Sequence, residues 1–536
     1  MASEGRKRTI AVIGAGMVGV TSASFLLRKG HGVILLDPGN PGEGASFGNA
    51  GCFNGSSVVP MSMPDTIRKV PGWLIDPLGP LVVRWRYLPV LAPWLLRFIR
   101  AGTKEKVERQ ARALRTLVEQ GIETMAPIAR DAGAQDLIQR VGHLIVYRSQ
   151  ASWESESMAW RLRRDNGIAW DEFSQGELQQ LDPNLSRDYV KGVLVRENGH
   201  TTNPHRLIER LAQAFLRDGG RIERRCVVGF EVADGRLTAI RCAGGPLPVD
   251  AAVVAAGIWS KPLAAELGDH IPLETERGYH LMIRDPAVVP RIPTADAERK
   301  FVATSMELGL RLAGTVELAG LDAPPNWKRA RMLLTHARRM FPALRDEVPD
   351  QNITTWMGHR PSMPDSLPVI GPSRRTPDVV YAFGHGHIGM TCAAKTGKTV
   401  AELISGEPPH VDVGPFSPRR FDEHYGRDEI SDGLAHLAAM DHPARDEEGS
   451  RKCVPQFIHE QVTRTRRNSH FVPATVSARS GNDSGIVKPS ALAVLRLTTS
   501  LNVVGCSTGI SAGLVPRRIL SSNSAARWNR AGTFSP

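Results

Sequence analysis

Apolar positions along this chain follow two patterns, and each predicts a different kind of sheet. Near the N-terminus they come as short unbroken runs. Ile10-Ala-Val-Ile13 is β-branched at three of four positions, the mark of a strand buried on both faces. A helical stretch (Thr21 to Lys29, closed by Gly30) leads to a second run, Val33-Ile-Leu-Leu36, which ends in Asp37. Ala251-Ala-Val-Val254 repeats the pattern far downstream, meets Gly257 and opens a helix, so this first unit is assembled from separated segments. Ile271 to Asp285, Phe301 to Leu312 and the Gly314 region instead alternate apolar and polar without helical crossovers, which predicts a second, mostly antiparallel sheet.

Shorter elements fill the intervals. Gly142 to Tyr147 reads as a strand, Gln150 to Asp165 as a helix, and Lys104 to Ala132 as one long polar helix. Asn203 is placed to cap a helix that has Pro204 in its first turn. Arg221 to Ile240 reads as paired strands about the turn Ala233-Asp-Gly235, and Pro325 to Phe341 as a helix. From Pro71 to Arg100 the chain mixes Trp73, Trp85 and Trp94 with Arg84, Arg86, Arg97 and Arg100, a mixture suited to a membrane interface, a partner surface or a cap on the protein's own core. Prolines 71, 77, 80, 89 and 93 argue against one long amphipathic helix there.

Composition changes this picture little. The chain has 536 residues, enough for two or three domains, and its hydrophobic fraction of 41% is ordinary. Its net charge of +12 suggests nucleic acid until the charge is located. Residues 451–536 hold 12 Lys or Arg and 2 Asp or Glu, leaving the rest of the chain close to neutral. No nucleic-acid partner is therefore expected of the body, and 422–536, acidic to Ser450 and Ser/Arg/Asn-rich from 451, reads as a low-order basic tail. Six cysteines lack C-x-x-C spacing, which argues against a metal site and fits a reducing compartment. No apolar leader precedes the first strand and no apolar run is long enough to span a bilayer, so a cytoplasmic protein is expected.

The chemistry starts from glycines. Gly14, Gly16 and Gly19 follow the first strand at G-x-G-x-x-G spacing. That spacing allows a tight turn, close approach of a pyrophosphate, and close packing of the next helix. Asp37 stands eighteen residues after Gly19, at the end of the second strand, where a carboxylate accepts hydrogen bonds from an adenosine ribose. Strand, helix, second strand and terminal acid together predict dinucleotide binding; a glycine-rich turn in another α/β domain is the competing reading. Ser46 and Asn49 lie in the glycine-rich loop that follows, suited to contact a phosphate or a ring edge.

Five motifs then agree in order: V-I-G-A-G-M-V-G at the N-terminus, V-V-A-A-G-I-W-S at 253–260, R-G-Y-H at 277–280, G-H-R-P with P-D-S-L-P-V-I-G at 358–371, and G-H-G-H-I-G-M-T at 384–391. Over residues 8–421 the chain resembles the FAD-dependent D-amino-acid oxidase superfamily, most of all its bacterial D-amino-acid dehydrogenase small subunits. The resemblance implies an α/β fold: a Rossmann-like FAD-binding domain split over 8–60, 190–265 and 355–421, and an α+β substrate domain of 61–189 and 266–354. It implies that Gly14, Gly16, Gly19, Asp37, Ser46, Asn49, Gly51 and Gly257 hold FAD. Gly384, Gly386, Gly389, Met390 and Thr391 would bring backbone N–H groups to the flavin edge. Arg360 would hold a substrate carboxylate, with Tyr279, His280 and His387 lining the pocket.

The implied reaction is oxidative deamination of a D-amino acid, by hydride transfer to flavin N5, to a 2-oxo acid and ammonia. Noncovalent FAD is expected, because no cysteine lies between Cys242 and Cys392. Ile388 stands where oxygen-activating relatives carry lysine, which points to a quinone-type acceptor and a peripheral contact with the inner membrane face. Oxidation of glycine, sarcosine or D-hydroxyproline on the same fold, and a non-catalytic FAD-binding role, are the alternatives.

Overall fold

The computed structural model describes residues 7–64, 79, 81–344 and 348–424. Within them a six-stranded sheet runs in the order Arg221–Arg224, Gly32–Asp37, Thr9–Ile13, Ala251–Val254, Val379–Phe383, Val369–Pro372. All neighbours are parallel except the last pair. Both faces are covered. Ile10 and Val12 pack towards helices that include Val20, Leu207 and Val400, while Ala11 and Ile13 pack towards Phe230, Ile240 and Leu263. That is why the first strand is an unbroken apolar run. Helix Met17–Arg28 crosses helix Gly389–Ile404 closely: a Cβ on Gly397 would lie 2.8 Å from the Ser22 nitrogen, and Thr21 Oγ1 donates to the Ala393 carbonyl at 2.8 Å.

A nine-stranded sheet carries the second pattern. Its three ten-residue strands, Ile353–Ser362, Glu274–Ile283 and Gly309–Leu318, lie side by side and antiparallel. Helix Trp327–Met340 packs on one face, where Leu281, Leu312 and Leu333 share a cluster. Strands Lys191–Val195 and Ile353–Ser362 pair in this sheet although the sequence divisions at 190 and 355 group them with the other unit.

Local expectations were corrected at four places. Leu88–Ala101 is a continuous helix despite Pro93. Pro93 sits on the exposed side and forgoes one hydrogen bond in the second turn, while Leu91 and Trp94 pack on Val83 and Leu318. Lys104–Val118 and Gly121–Asp131 are two helices, broken where Gln120 takes a left-handed φ of 52°. Gln150–Glu154 and Ser157–Asp165 are likewise separate. Arg221–Arg224 joins the parallel sheet, and the hairpin about Asp234 is made by Val227–Ala233 and Arg236–Cys242 alone. Asn203 does cap its helix, accepting from Arg206 N–H at 3.0 Å. Trp73, Pro71, Pro77 and the tail lie outside the described residues, apart from the first tail positions.

Candidate active site

The carboxyl ends of four parallel strands open into one cavity of about 870 Å³, the place where open parallel sheets bind ligands. Thr9–Ile13 delivers Gly14 and Gly16, Gly32–Asp37 delivers Asp37, Ala251–Val254 delivers Ala255 and Gly257, and Val379–Phe383 delivers Gly384 and Gly386. Two long helices begin at this cavity, Met17–Arg28 and Gly389–Ile404, and neither has a side-chain cap or an acid in its first turn. Their first-turn N–H groups, with those of Met390 and Thr391 among them, form an anion-attracting wall. The turn is too tight for any side chain. Gly14 has φ of 104°, and a Cβ there would stand 2.5 Å from the Ala255 oxygen. A Cβ on Gly19 would meet the Gly14 oxygen at 1.8 Å. Gly19 thus shapes the turn from behind, without lining the cavity.

Asp37 completes this wall. Its carboxylate accepts from Ala15 N–H and Gly39 N–H, both at 2.8 Å. Burial raises its pKa, and those two donors oppose the rise. Each oxygen keeps a lone pair for a ribose hydroxyl. The loop carrying Ser46 and Asn49 closes over the wall: Ser46 Oγ accepts from Met17 N–H at 3.2 Å, and Asn49 Oδ1 from Gly51 N–H at 2.8 Å. Gly51 faces away from the cavity, and a Cβ there would crowd the Thr201 oxygen at 2.7 Å.

The opposite wall is one face of the nine-stranded sheet. Glu276, Gly278 and His280 stand opposite Arg360, Gly358 and Trp356 in register. The Arg360 guanidinium lies across Gly278, where a Cβ would come within 2.3 Å of Cζ, and Nη1 donates to the Thr315 carbonyl at 3.2 Å. Burial lowers the Arg360 pKa, while Glu276 on the neighbouring strand favours the charged form. Trp356 lies against Gly358 and Gly48, where Cβ atoms would clash at 1.9 and 2.1 Å. It stacks on His280 at 5.2 Å between centroids. His387 lines the cavity and is exposed to it, with the Arg360 charge on the opposite wall disfavouring its protonated form.

The FAD-dependent oxidoreductase (DAO) family matches residues 9–403. The chain belongs to this family.

As a DAO-family member it is an FAD-dependent oxidoreductase, and its residues fit the cofactor. Gly14 and Gly19 leave no room for side chains, Gly257 opens onto free space, two helix starts without acids in their first turns border the cavity, and Asp37 stands at its ribose end. Among relatives, the chain is 46% identical over 417 residues to a D-amino-acid oxidase of Bradyrhizobium diazoefficiens, covering 77% of this chain and 99% of that protein. It is 31% identical over 434 residues to D-amino acid dehydrogenase 2 of Ralstonia nicotianae, with 77% and 100% covered. The fold is that of glycine oxidase from Geobacillus kaustophilus, with a TM-score of 0.59 at 20% identity over 77% of this chain and 99% of the other.

The DAO site does not use every residue in the way the sequence suggests. Tyr279 and His280 point to opposite faces of their strand, and of the two only Tyr279 is among the cavity-lining residues. The Tyr279 phenol donates to Glu317, accepts from Asn326 N–H at 3.0 Å, and is pushed up to about 12 in pKa, chiefly by burial. Its ring packs with Ala330 and Met357 on the helix-covered side. His280 does not line the cavity; its Nδ1 lies 3.0 Å from the Gly48 carbonyl, and burial drops its pKa to about 3. It therefore supports the loop and Trp356. Trp356 carries no motif signal of its own, and Gly278 falls in a motif, R-G-Y-H, that pointed to its neighbours instead. The pairing of Gly278 with Gly358 across two strands, each flanked by a bulky neighbour, is the one hint the sequence held.

Proposed function

We propose that this DAO-family enzyme oxidises D-amino acids to 2-oxo acids and ammonia. The observation that carries this reading is the Arg360 guanidinium facing the cofactor wall within one cavity. A planar fork of donors matches a carboxylate bidentately, and both cited relatives are named for D-amino acids. Bound noncovalently, FAD supplies the acceptor for the hydride that leaves Cα. Arg360 fixes the substrate carboxylate and so turns Cα towards the opposite wall. The substrate reacts as the neutral amine, its ammonium proton having gone to solvent, and His387 on the cavity wall orients that amine by accepting a hydrogen bond. The sheet wall, closed by Trp356 and Gly278, keeps the reacting carbon in a narrow space. Water then adds to the released iminium, giving the 2-oxo acid and an ammonium ion.

For the acceptor we infer a quinone-type molecule at a membrane face. Helix Leu88–Ala101 and the turn before it expose Trp85 at 70%, Val90 at 63%, Leu96 at 53% and Ile99 at 49%. Arg86, Arg97 and Arg100 stand among them, and the helix carries no acid. That mixture suits peripheral contact with an anionic bilayer. No helix of the described residues is long and apolar enough to cross a membrane. Molecular oxygen is the second reading, favoured by the name of the relative at 46% identity.

Anaerobic visible spectra with a panel of D- and L-amino acids, glycine, sarcosine and prolines test the reaction. Bleaching by D-amino acids alone supports it, and bleaching by secondary amines alone replaces it. Oxygen uptake without an added acceptor would replace the quinone reading. Flotation with anionic vesicles, lost on Trp85→Ser with Leu96→Ser, tests the membrane contact.

A further inference from the structure

Among the described residues Arg311 is a buried charge with no ion-pair partner. It lies on strand Gly309–Leu318, 7% exposed, and among the described residues no carboxylate comes within ion-pairing distance. Its Nη1 donates to the Asn49 carbonyl at 2.6 Å, and its Nε has no partner. Burial lowers its pKa to about 10, with no acid to oppose the shift, so the guanidinium stays protonated at neutral pH. The other buried arginines of this sheet differ: Arg277 has Glu317 at 3.7 Å, and Arg360 has the field of Glu276.

The position of Arg311 gives the charge a direction. Ala313, two residues on and on the same face of the strand, lines the cavity, as does Asn49. The guanidinium therefore stands one peptide unit behind the cavity wall, against the loop Ser46–Gly51. Three carbonyls of that loop are held by buried donors: Gly48 by His280 at 3.0 Å, Asn49 by Arg311, and Gly51 by Thr201 N–H at 2.8 Å. The first and third donors are neutral, which shows that tethering the loop does not require a charge. Burying an unpaired cation is costly unless an anion offsets it. In an FAD-dependent oxidoreductase the missing anion arises in the reaction itself, since accepting a hydride adds one negative charge to the cofactor.

We propose that Arg311 is a fixed positive charge, seated behind the Asn49 wall, that shifts this enzyme's FAD towards its reduced form. It touches neither substrate nor cofactor and acts through the field it sets across the loop. The proposal rests on FAD dependence alone and is independent of which amine is oxidised.

The test compares FAD-loaded Arg311→Met and Arg311→Lys with the wild type by dye-equilibrium measurement of the flavin midpoint potential and by the Kd for sulfite. The Met variant is expected to have a lower potential and sulfite binding weakened about tenfold, the scale of one unit charge acting across a partly buried gap. The Lys variant is expected to restore most of both. Thr304 stands directly opposite Arg311 on the neighbouring strand. Thr304→Asp therefore neutralises the charge while keeping the tether, and should move both readouts as Arg311→Met does, which covers the case in which the Met variant fails to fold or to retain FAD. A wild-type potential and sulfite affinity in FAD-loaded Arg311→Met or Thr304→Asp would overturn the proposal and leave Arg311 as a loop tether only.

Discussion

The two walls of the cavity are built on different principles. The wall formed by the parallel sheet is made of backbone: glycines that exclude side chains, helix starts that present N–H groups, and one acid, Asp37. The wall formed by the nine-stranded sheet is made of side chains, with Arg360 and Trp356 held by strand register and by the glycines they lie across. The backbone wall tolerates no added atom at Gly14 and Gly19. A side-chain wall can be altered piece by piece, which is where one fold can change its substrate while keeping its cofactor.

The comparison breaks most sharply at Gly19. Gly19→Ala sets a methyl 1.8 Å from the Gly14 oxygen, and should cost about 3 kcal/mol or more and yield protein without flavin. The ratio of flavin to protein absorbance, read with the melting temperature, checks this; stoichiometric FAD in the variant would mean that crowding does not shape the cradle. Arg360→Ala should keep FAD yet raise the KM for carboxylate substrates roughly a hundredfold, the scale of losing a charge-assisted bidentate pair. Gly278→Ala is expected to do the same more mildly, about tenfold, because the guanidinium it displaces is the end of a flexible side chain. Unchanged KM in both would remove Arg360 from the anchor role.

Acid should weaken both walls together, with a smaller effect at each step. His143 and His385 are buried with pKa values near 4, and His280 near 3, each lowered chiefly by burial. Below pH 6.5 the unfolded chain binds protons at these rings that the folded chain refuses. Stability is therefore fully present above 6.5 and falls towards pH 4, by at most about 1.4 kcal/mol per pH unit for each ring. A melting-temperature profile shows the slope, and His280→Asn should flatten it. A slope untouched by that substitution would assign the acid sensitivity to other groups.

The difference between the walls also sets what the sequence reveals. The backbone wall is legible because its constraints are local: the spacing of Gly14, Gly16 and Gly19, the acid closing the second strand, and the glycines before helix Gly389–Ile404 all sit within one turn of their own element. The side-chain wall depends on register between strands some eighty residues apart in sequence, as between Gly278 and Gly358. Arg360 was reachable through a motif, but Trp356 was not, and the opposite orientations of Tyr279 and His280 follow only once the register is known. Arg311 sits in an ordinary alternating strand, and only its burial without an acid marks it. The helix break missed at Gln120 and the helix that runs through Pro93 have the same origin, since tertiary packing overrode local preference. The division into cofactor and substrate units stays a proposal, with Lys191–Val195 and Ile353–Ser362 pairing in the nine-stranded sheet.

The most direct measurement is an anaerobic titration of the FAD-loaded enzyme with the two enantiomers of one amino acid, alanine first, read at the flavin absorbance maximum and repeated with Arg360→Ala. The account predicts bleaching by the D form, little by the L form, and a far higher concentration of the D form needed for the variant. Equal bleaching by both enantiomers, or a variant that titrates like the wild type, would contradict it.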